Sequence, residues 1–388
     1  KTAEAQIAIA TAEKEPADYC FPNALEAIEA LQCVVDFAGK APKALYYLGN
    51  LWYDKRRYPT AIAAWERSSR EDETFPTVWR NLSLAYFNKM NRPDEAVALL
   101  EKAFRLDHTD ARVLMELDQL YKRLNRPHIE RLCFLEQHID IVMTRDDLYL
   151  EYVTLLNQTG QYREAIRRID QRKFHPWEGG EGKVPAQYQL ARLELAKELI
   201  NRKKYDDALA LIDECYIYPT HLGEGKLPGA QENDFNYYKA YILQQQGRPE
   251  EAHSLFVKAC SGNSQPAAAM YYNDQKPDKI FYQGLAYRKL GEEEKARSRF
   301  NQLITYGEEH LFDRFKMDYF AVSLPDLLIW EDDMDKKNRI HCNYLMALGH
   351  LGLGNRTKAE HFFDIAASMD NNHQGVQIHR KLMNTILS

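Results

Sequence analysis

Trp79-Arg80-Asn81-Leu82-Ser83-Leu84-Ala85-Tyr86 opens a helical segment that a turn at Pro93 ends, and a second segment then carries Ala96 and Leu100. Apolar residues at helical spacing on both sides of a proline-containing turn predict two antiparallel helices. Ser83 on the first and Ala96 on the second lie 13 positions apart, with one extra residue in the turn. Such an offset lets the two helices touch where their side chains are smallest.

The arrangement recurs along the chain. Gly49 and Ala61, Val153 and Ala165, Ala196 and Ala208, Ala240 and Ala252, Gly284 and Ala296, and Ala347 and Ala359 are each 12 apart. Four residues past each alanine stands a large apolar side chain: Trp65, Leu100, Ile169, Ile212, Phe256, Phe300 or Phe363. Seven hairpins therefore repeat one core layer. Residues 111–138 keep helical spacing through Leu114, Leu117, Leu120, Tyr121 and Leu124. Asp118 and Glu130 there occupy the small-residue positions, so the segment counts as a degenerate eighth hairpin.

These residues resemble the tetratricopeptide repeat, W-x2-L-G-x2-Y…A-x3-F…P, with Ser83 where glycine is usual. The resemblance covers roughly 42–370. It implies an all-α fold, a right-handed α-α superhelix of about eight hairpins, each burying its apolar face on its neighbours, with a groove lined by the first helices. Surfaces of this kind usually bind other proteins. The expected division is an N-terminal helical cap over 1–41, regular repeats over 42–170, repeats with extended loops over 171–370, and a C-terminal capping helix over 371–388.

Composition excludes several classes. The 388 residues are 45% apolar and 28% charged, and a net charge of -6 gives no electrostatic reason to expect a nucleic-acid partner. No stretch approaches 18 uninterrupted apolar residues, so no membrane span is expected. The six cysteines are widely spread, with no C-x-x-C pair, which points to a reducing, cytoplasmic compartment and no zinc site. The twelve histidines include no H-E-x-x-H, and no metal or cofactor is expected. The first residues, Lys1-Thr2-Ala3-Glu4, lack an apolar signal core and an initiator methionine, and read as the start of a processed or excised piece.

The repeat lengthens in its second half. Alanine to alanine the spacing is 35 from Ala61 to Ala96 and 69 over the next two copies, then 43, 44, 44 and 63. Because the offset within each hairpin stays at 12, the excess lies between hairpins, near 171–185, 216–232, 260–277 and 306–337. These junctions share one edge, so the insertions are expected on a common rim, the last holding a short helix before Glu331-Asp332-Asp333.

Phe174-His175-Pro176-Trp177-Glu178-Gly179-Gly180-Glu181-Gly182-Lys183 fills the first insertion, and Gly223-Glu224-Gly225-Lys226-Leu227-Pro228 in the second repeats its Gly-Glu-Gly-Lys core. Glycines let backbone amides approach a ligand, while Glu181, Glu224, Lys183 and Lys226 offer opposite charges. The spacing is not that of a phosphate-binding loop, since Val184 and Leu227 follow the lysines. His175, Trp177 and Glu178 set a base, an aromatic ring and a carboxylate within four positions, a set suited to a sugar ring and its hydroxyls. A loop tryptophan more often anchors its loop, and no catalytic residue is assigned. If the two loops touch and point the same way they form one site; otherwise they are turns.

Among the 24 tyrosines, the pairs Tyr46-Tyr47, Tyr237-Tyr238 and Tyr271-Tyr272 offer at most one outward member each. A carboxylate clamp of the kind some tetratricopeptide proteins use would fall on Tyr46, Asn50, Asn81, Arg112 and Glu116. Tyr46 replaces a lysine and Glu116 reverses a charge, which disfavours it. Both rim loops, and Tyr47-Leu48-Gly49-Asn50-Leu51-Trp52-Tyr53-Asp54-Lys55-Arg56-Arg57-Tyr58, look like the C-terminal repeat region of a family of large bacterial proteins in which a mutarotase-like β-sandwich precedes the repeats. That resemblance implies that 1–388 is the repeat tail alone. Two functions follow: a non-catalytic scaffold for a protein or peptide, or an accessory region whose rim loops (174–185, 222–233) complete a carbohydrate site in an attached β-sandwich domain.

Overall fold

The computed structural model describes residues 3–17, 22–177, 179–269, 274–314 and 329–383. Among them the regular structure is helical throughout. Helices α1 (Ala3–Ala12) and α2 (Glu26–Phe37) precede the first hairpin, α3 (Pro42–Asp54) and α4 (Tyr58–Glu71). Next come α5 (Pro76–Asn88) with α6 (Pro93–Leu106), α7 (Ala111–Arg123), α8 (His128–Gln137) and the single turn α9 (Ile139–Val142). The later hairpins are α10 (Asp146–Gln158) with α11 (Tyr162–Asp170), α12 (Lys183–Asn201) with α13 (Tyr205–Cys215), and α14 (Asn233–Gln245) with α15 (Pro249–Ala259). They continue with α16 (Pro277–Lys289) and α17 (Glu293–His310), then α18 (Met334–Gly352) and α19 (Arg356–Met369), and α20 (Gln374–Leu382) ends the series.

Local sequence sets these boundaries. Proline occupies the first helical turn of α3, α4, α5, α6, α15 and α16, where its missing N–H costs nothing. Asp110 caps α7 by accepting from the Arg112 and Val113 amides, and Asp333 caps α18 by accepting from Lys336.

The repeated layer is the core. Each alanine of the series, from Ala61 to Ala359, is buried, as is each large residue four positions on. The large residue covers the small position of the first helix. A Cβ on Gly49 would lie 2.2 Å from Trp65 Nε1, and one on Gly284 would lie 2.4 Å from Phe300 Cε1. The all-α fold built of stacked hairpins follows from that layer.

The chain forms two compact units, Lys1–Leu124 with Leu328–Glu331, and Asn125–Leu327 with Asp332–Ser388. The degenerate hairpin is thereby divided, α7 belonging to the first unit and α8 to the second. Asp118 is fully buried in α7, whereas Glu130 is exposed on α8. The fourth insertion starts later than its spacing suggests, because α17 continues to His310. The short helix expected before Glu331 falls on 315–328, outside the described residues.

Replacing Gly284 by valine drives methyls into the Phe300 ring and is expected to cost about 1–3 kcal/mol. Gly39→Ala, where nothing lies within 4 Å of the added carbon, is expected to stay near the parent. Guanidinium unfolding monitored by circular dichroism checks both.

Candidate interaction surfaces

Loop residues of the second unit are joined one insertion to the next. Between α11 and α12, the Phe174 amide donates to His221 O at 2.8 Å, and the Gly182 amide donates to Glu224 Oε2 at 2.7 Å. Gly223 makes this approach possible: its φ is +77°, and a Cβ there would meet the Phe174 carbonyl oxygen at 2.7 Å. Further along, Gln231 donates to Asp274 O at 3.3 Å and accepts from the Lys276 amide at 3.2 Å. His341 Nε2 lies 2.8 Å from Ala267 O, so the third insertion is tied to α18.

The two Gly-Glu-Gly-Lys segments touch, and a cavity of about 270 Å³ opens beside them, lined among others by His175, Trp177, Glu181, Leu222 and Glu224. Trp177 lies over Gly180, where a Cβ would meet its ring at 2.3 Å. His175 is exposed and held at its base by Asp146, which accepts from its amide at 2.9 Å and contacts Nδ1 at 3.0 Å. Burial works against the charge of Asp146. The bonds from His175 and from Arg172 at 2.6 Å outweigh it and hold the carboxyl below its usual range.

Glu224 has a structural task. Gly182 is the N-cap of α12, so the carboxylate bonds an amide at the positive end of that helix. Burial, and the neighbouring Glu181, nonetheless push its pKa up. Glu181 bonds the Gly179 amide within its own loop at 3.3 Å. Lys226 turns back on the second loop, where it pairs with Glu232 and donates to Tyr216 O at 2.9 Å. Lys183 is exposed at the first turn of α12, and neither lysine lines the cavity. Glu178 lies outside the described residues.

The first helices carry a second surface, already covered. In the second unit, residues 370–382 run across them. Asn371 bonds Asn125 through both backbone and side chain, while Asn372 accepts from Arg131 of α8 at 2.7 Å and from Gln158 of α10 at 2.8 Å. On α20, Gln374 pairs with Gln187 of α12, and Lys381 donates to Tyr162 OH at 3.0 Å. His379 contacts the rings of Phe281 and Tyr282 on α16, and its Nδ1 lies 3.0 Å from Tyr344 OH on α18. Burial holds that imidazole neutral, its pKa pushed down to about 4.

This cover explains the tyrosines. Tyr237 packs on Phe256 inside its hairpin, while Tyr238 meets Tyr282 beneath α20, so both members of the pair are buried. Tyr271 and Tyr272 lie outside the described residues.

In the first unit the positions compared with a carboxylate clamp satisfy one another. Asn50 Oδ1 accepts from Trp65 Nε1 at 3.1 Å and from Asn81 at 2.9 Å. Arg80 bonds Asn81 and grips both oxygens of Glu116 at 2.6 and 2.5 Å, and Arg112 adds a third bond to that carboxylate at 2.9 Å. Glu116 is the carboxylate of this set, fully buried and doubly paired. The same face holds residues 329–331. Trp330 is 1% exposed, a burial not foreseen from the sequence.

Two stretches match family models, each described as a tetratricopeptide repeat: residues 76–110 and 280–306. The chain is also similar in structure to YrrB, a tetratricopeptide protein with an unusual peptide-binding site, at 15% identity over 48% of this chain and 91% of that one, with a TM-score of 0.37. Naa15/Naa10 bound to HypK-THB is similar at 12% identity over 92% of this chain and 63% of that one, with a TM-score of 0.41. A tetratricopeptide repeat protein from Parabacteroides merdae ATCC 43184 is similar at 15% identity over 67% and 97%, with a TM-score of 0.32. Two stretches of the chain thus match the tetratricopeptide repeat, and the hairpins around them share one core layer.

Asp146→Asn removes a charge-assisted anchor of the first rim loop and is expected to lower stability at pH 7 by about 1–2 kcal/mol. Since the folded carboxyl titrates below its ordinary value of 3.8, the anchor's contribution is present above that value and lost as pH falls through the lowered one. Urea midpoints of parent and variant are therefore expected to converge on acidification below pH 4.

Proposed function

We propose that this chain, a tetratricopeptide-repeat protein, is a non-catalytic interaction scaffold whose first-helix faces hold segments of protein. One observation carries the reading: those faces already hold two segments of polypeptide, residues 329–331 in the first unit and the helical 370–382 in the second. Each is bound by side chains reaching its backbone as well as its side chains. Side-chain amides that bond a peptide backbone recognise polypeptide as such, and buried aromatic residues add the anchor. The net charge of -6 speaks for a protein or peptide partner over nucleic acid. Among the described residues no helix is long and apolar enough to cross a membrane. The spread cysteines suit a reducing, cytoplasmic setting.

A second reading is favoured by the contact between the two rim loops. Their shared cavity, with an indole, an imidazole and two carboxylates, suits a hydroxyl-rich ligand, and in an attached β-sandwich protein it would complete a carbohydrate site.

Peptide display on the intact chain separates the two. His379→Asp places a charge beneath α20, and on the scaffold reading the variant binds selected peptides at least about tenfold tighter than the parent. The scaffold reading fails if no peptide is enriched over bare support, or if enriched peptides bind through Trp177 and Glu224. A glycan-array signal abolished by Trp177→Ala would instead support the second reading.

A further inference from the structure

The contacts of residues 329–331 have the form of motif recognition. Asn88, at the end of α5, donates from Nδ2 to Ile329 O at 2.8 Å and accepts at Oδ1 from the Glu331 amide at 3.0 Å. One side chain thus brackets the tryptophan by its flanking backbone groups. Arg123 of α7 donates to the Trp330 carbonyl at 3.0 Å. None of these three bonds depends on which side chains the segment carries.

Specificity comes from the two side chains that follow. The Trp330 ring packs edge-on against Phe87, with centroids 5.2 Å apart, and its Nε1 donates to Glu116 O at 3.1 Å. A phenylalanine would fill much of the space and lose that bond; a smaller residue would leave a hole lined by buried apolar atoms. Glu331 pairs with Lys89, whose ammonium charge is favoured by that pairing although burial opposes it. An anchor tryptophan followed by an acid is therefore what this face reads.

We propose that the face formed by α5 and α7 is a binding site for peptide segments in which a tryptophan precedes an acidic residue, a site that residues 329–331 fill in cis. A partner segment of that pattern binds by taking their place. The cis segment sets the threshold, because it competes at the high effective concentration of a tethered ligand. This inference rests on the reading that first-helix faces hold polypeptide, and it names the partner's chemistry for one of them. It does not involve the rim cavity.

The test uses the intact chain and a fluorescently labelled peptide, Ile-Trp-Glu-Asp-Asp, followed by anisotropy. The parent is expected to bind it weakly, and Trp330→Ala, which empties the anchor position, at least about tenfold more tightly. Adding Asn88→Ala to that variant is expected to reverse the gain about tenfold, and a peptide with alanine in place of tryptophan is expected not to bind. If Trp330→Ala fails to fold by circular dichroism, Glu331→Lys serves in its place. It replaces the ion pair with Lys89 by a like-charge contact, leaves the backbone bonds of the segment available, and is expected to raise peptide affinity several-fold over the parent. The proposal is overturned if the peptide binds no folded variant, or if its affinity is indifferent to Asn88→Ala. Display-selected peptides that bind the first-helix faces while this peptide does not would overturn the tryptophan–acid inference and leave the scaffold reading standing.

Discussion

The hairpins of this protein depend on one packing constraint: the large apolar side chain of the second helix is buried against the position on the first that most often holds a small residue. Trp65 over Gly49 and Phe300 over Gly284 show how little room there is, since a single added carbon would fall within 2.4 Å of either ring. A hairpin built this way buries one face and leaves the other for its neighbour, so it gains stability only in an array. The constraint also explains where the sequence has been free to grow. Within a hairpin an inserted residue must be absorbed by the turn, as the one extra residue between α5 and α6 is, and the offset otherwise stays at 12. Between hairpins it only lengthens a loop, and there the spacing rises from 35 to 44 and 63.

The arrays present first-helix faces on which polar groups are already committed. In the first unit the ladder from Trp65 through Asn50, Asn81 and Arg80 to Glu116 leaves the clamp-like positions paired among themselves. A buried carboxylate such as Glu116 is tolerated because two guanidinium groups meet it, and losing both would strand a charge. In the second unit, residues 370–382 bring His379 among Phe281, Tyr282 and Tyr344, where the imidazole stays neutral because burial penalises its cation. Both faces bind polypeptide, and in both the polypeptide is the chain's own.

The hairpins were legible because their signal is periodic and local: a small residue, an offset of 12, and a large residue four further on can be counted without knowing any distant contact. The shared composition of the two rim loops was legible too, although its consequence was only partly so. Glycine at 223 is needed for the close approach to Phe174, and Glu224 reaches the N-terminus of α12, whereas Lys226 finds Glu232 and its own loop's carbonyl. Where a charged side chain has a nearby local partner, composition does not reveal which partner it takes. A capping helix at the C-terminus was legible, but the burial of Trp330 and the packing of α20 across the first helices were not, because their partners lie more than 200 residues away in sequence or on several different helices. Tyr237 and Tyr238 carried a trace of this, since a pair with both members buried requires a cover on the first-helix side.

The measurement that bears most directly on the account is amide hydrogen exchange across residues 370–382 in the intact chain. If this segment fills the first-helix face of its unit, its amides should be protected to a degree comparable with those of α16 and α18, and should lose protection together with them as denaturant is added. Rapid exchange throughout 370–382, with α16 and α18 still fully protected, would contradict the account, since the face would then be open.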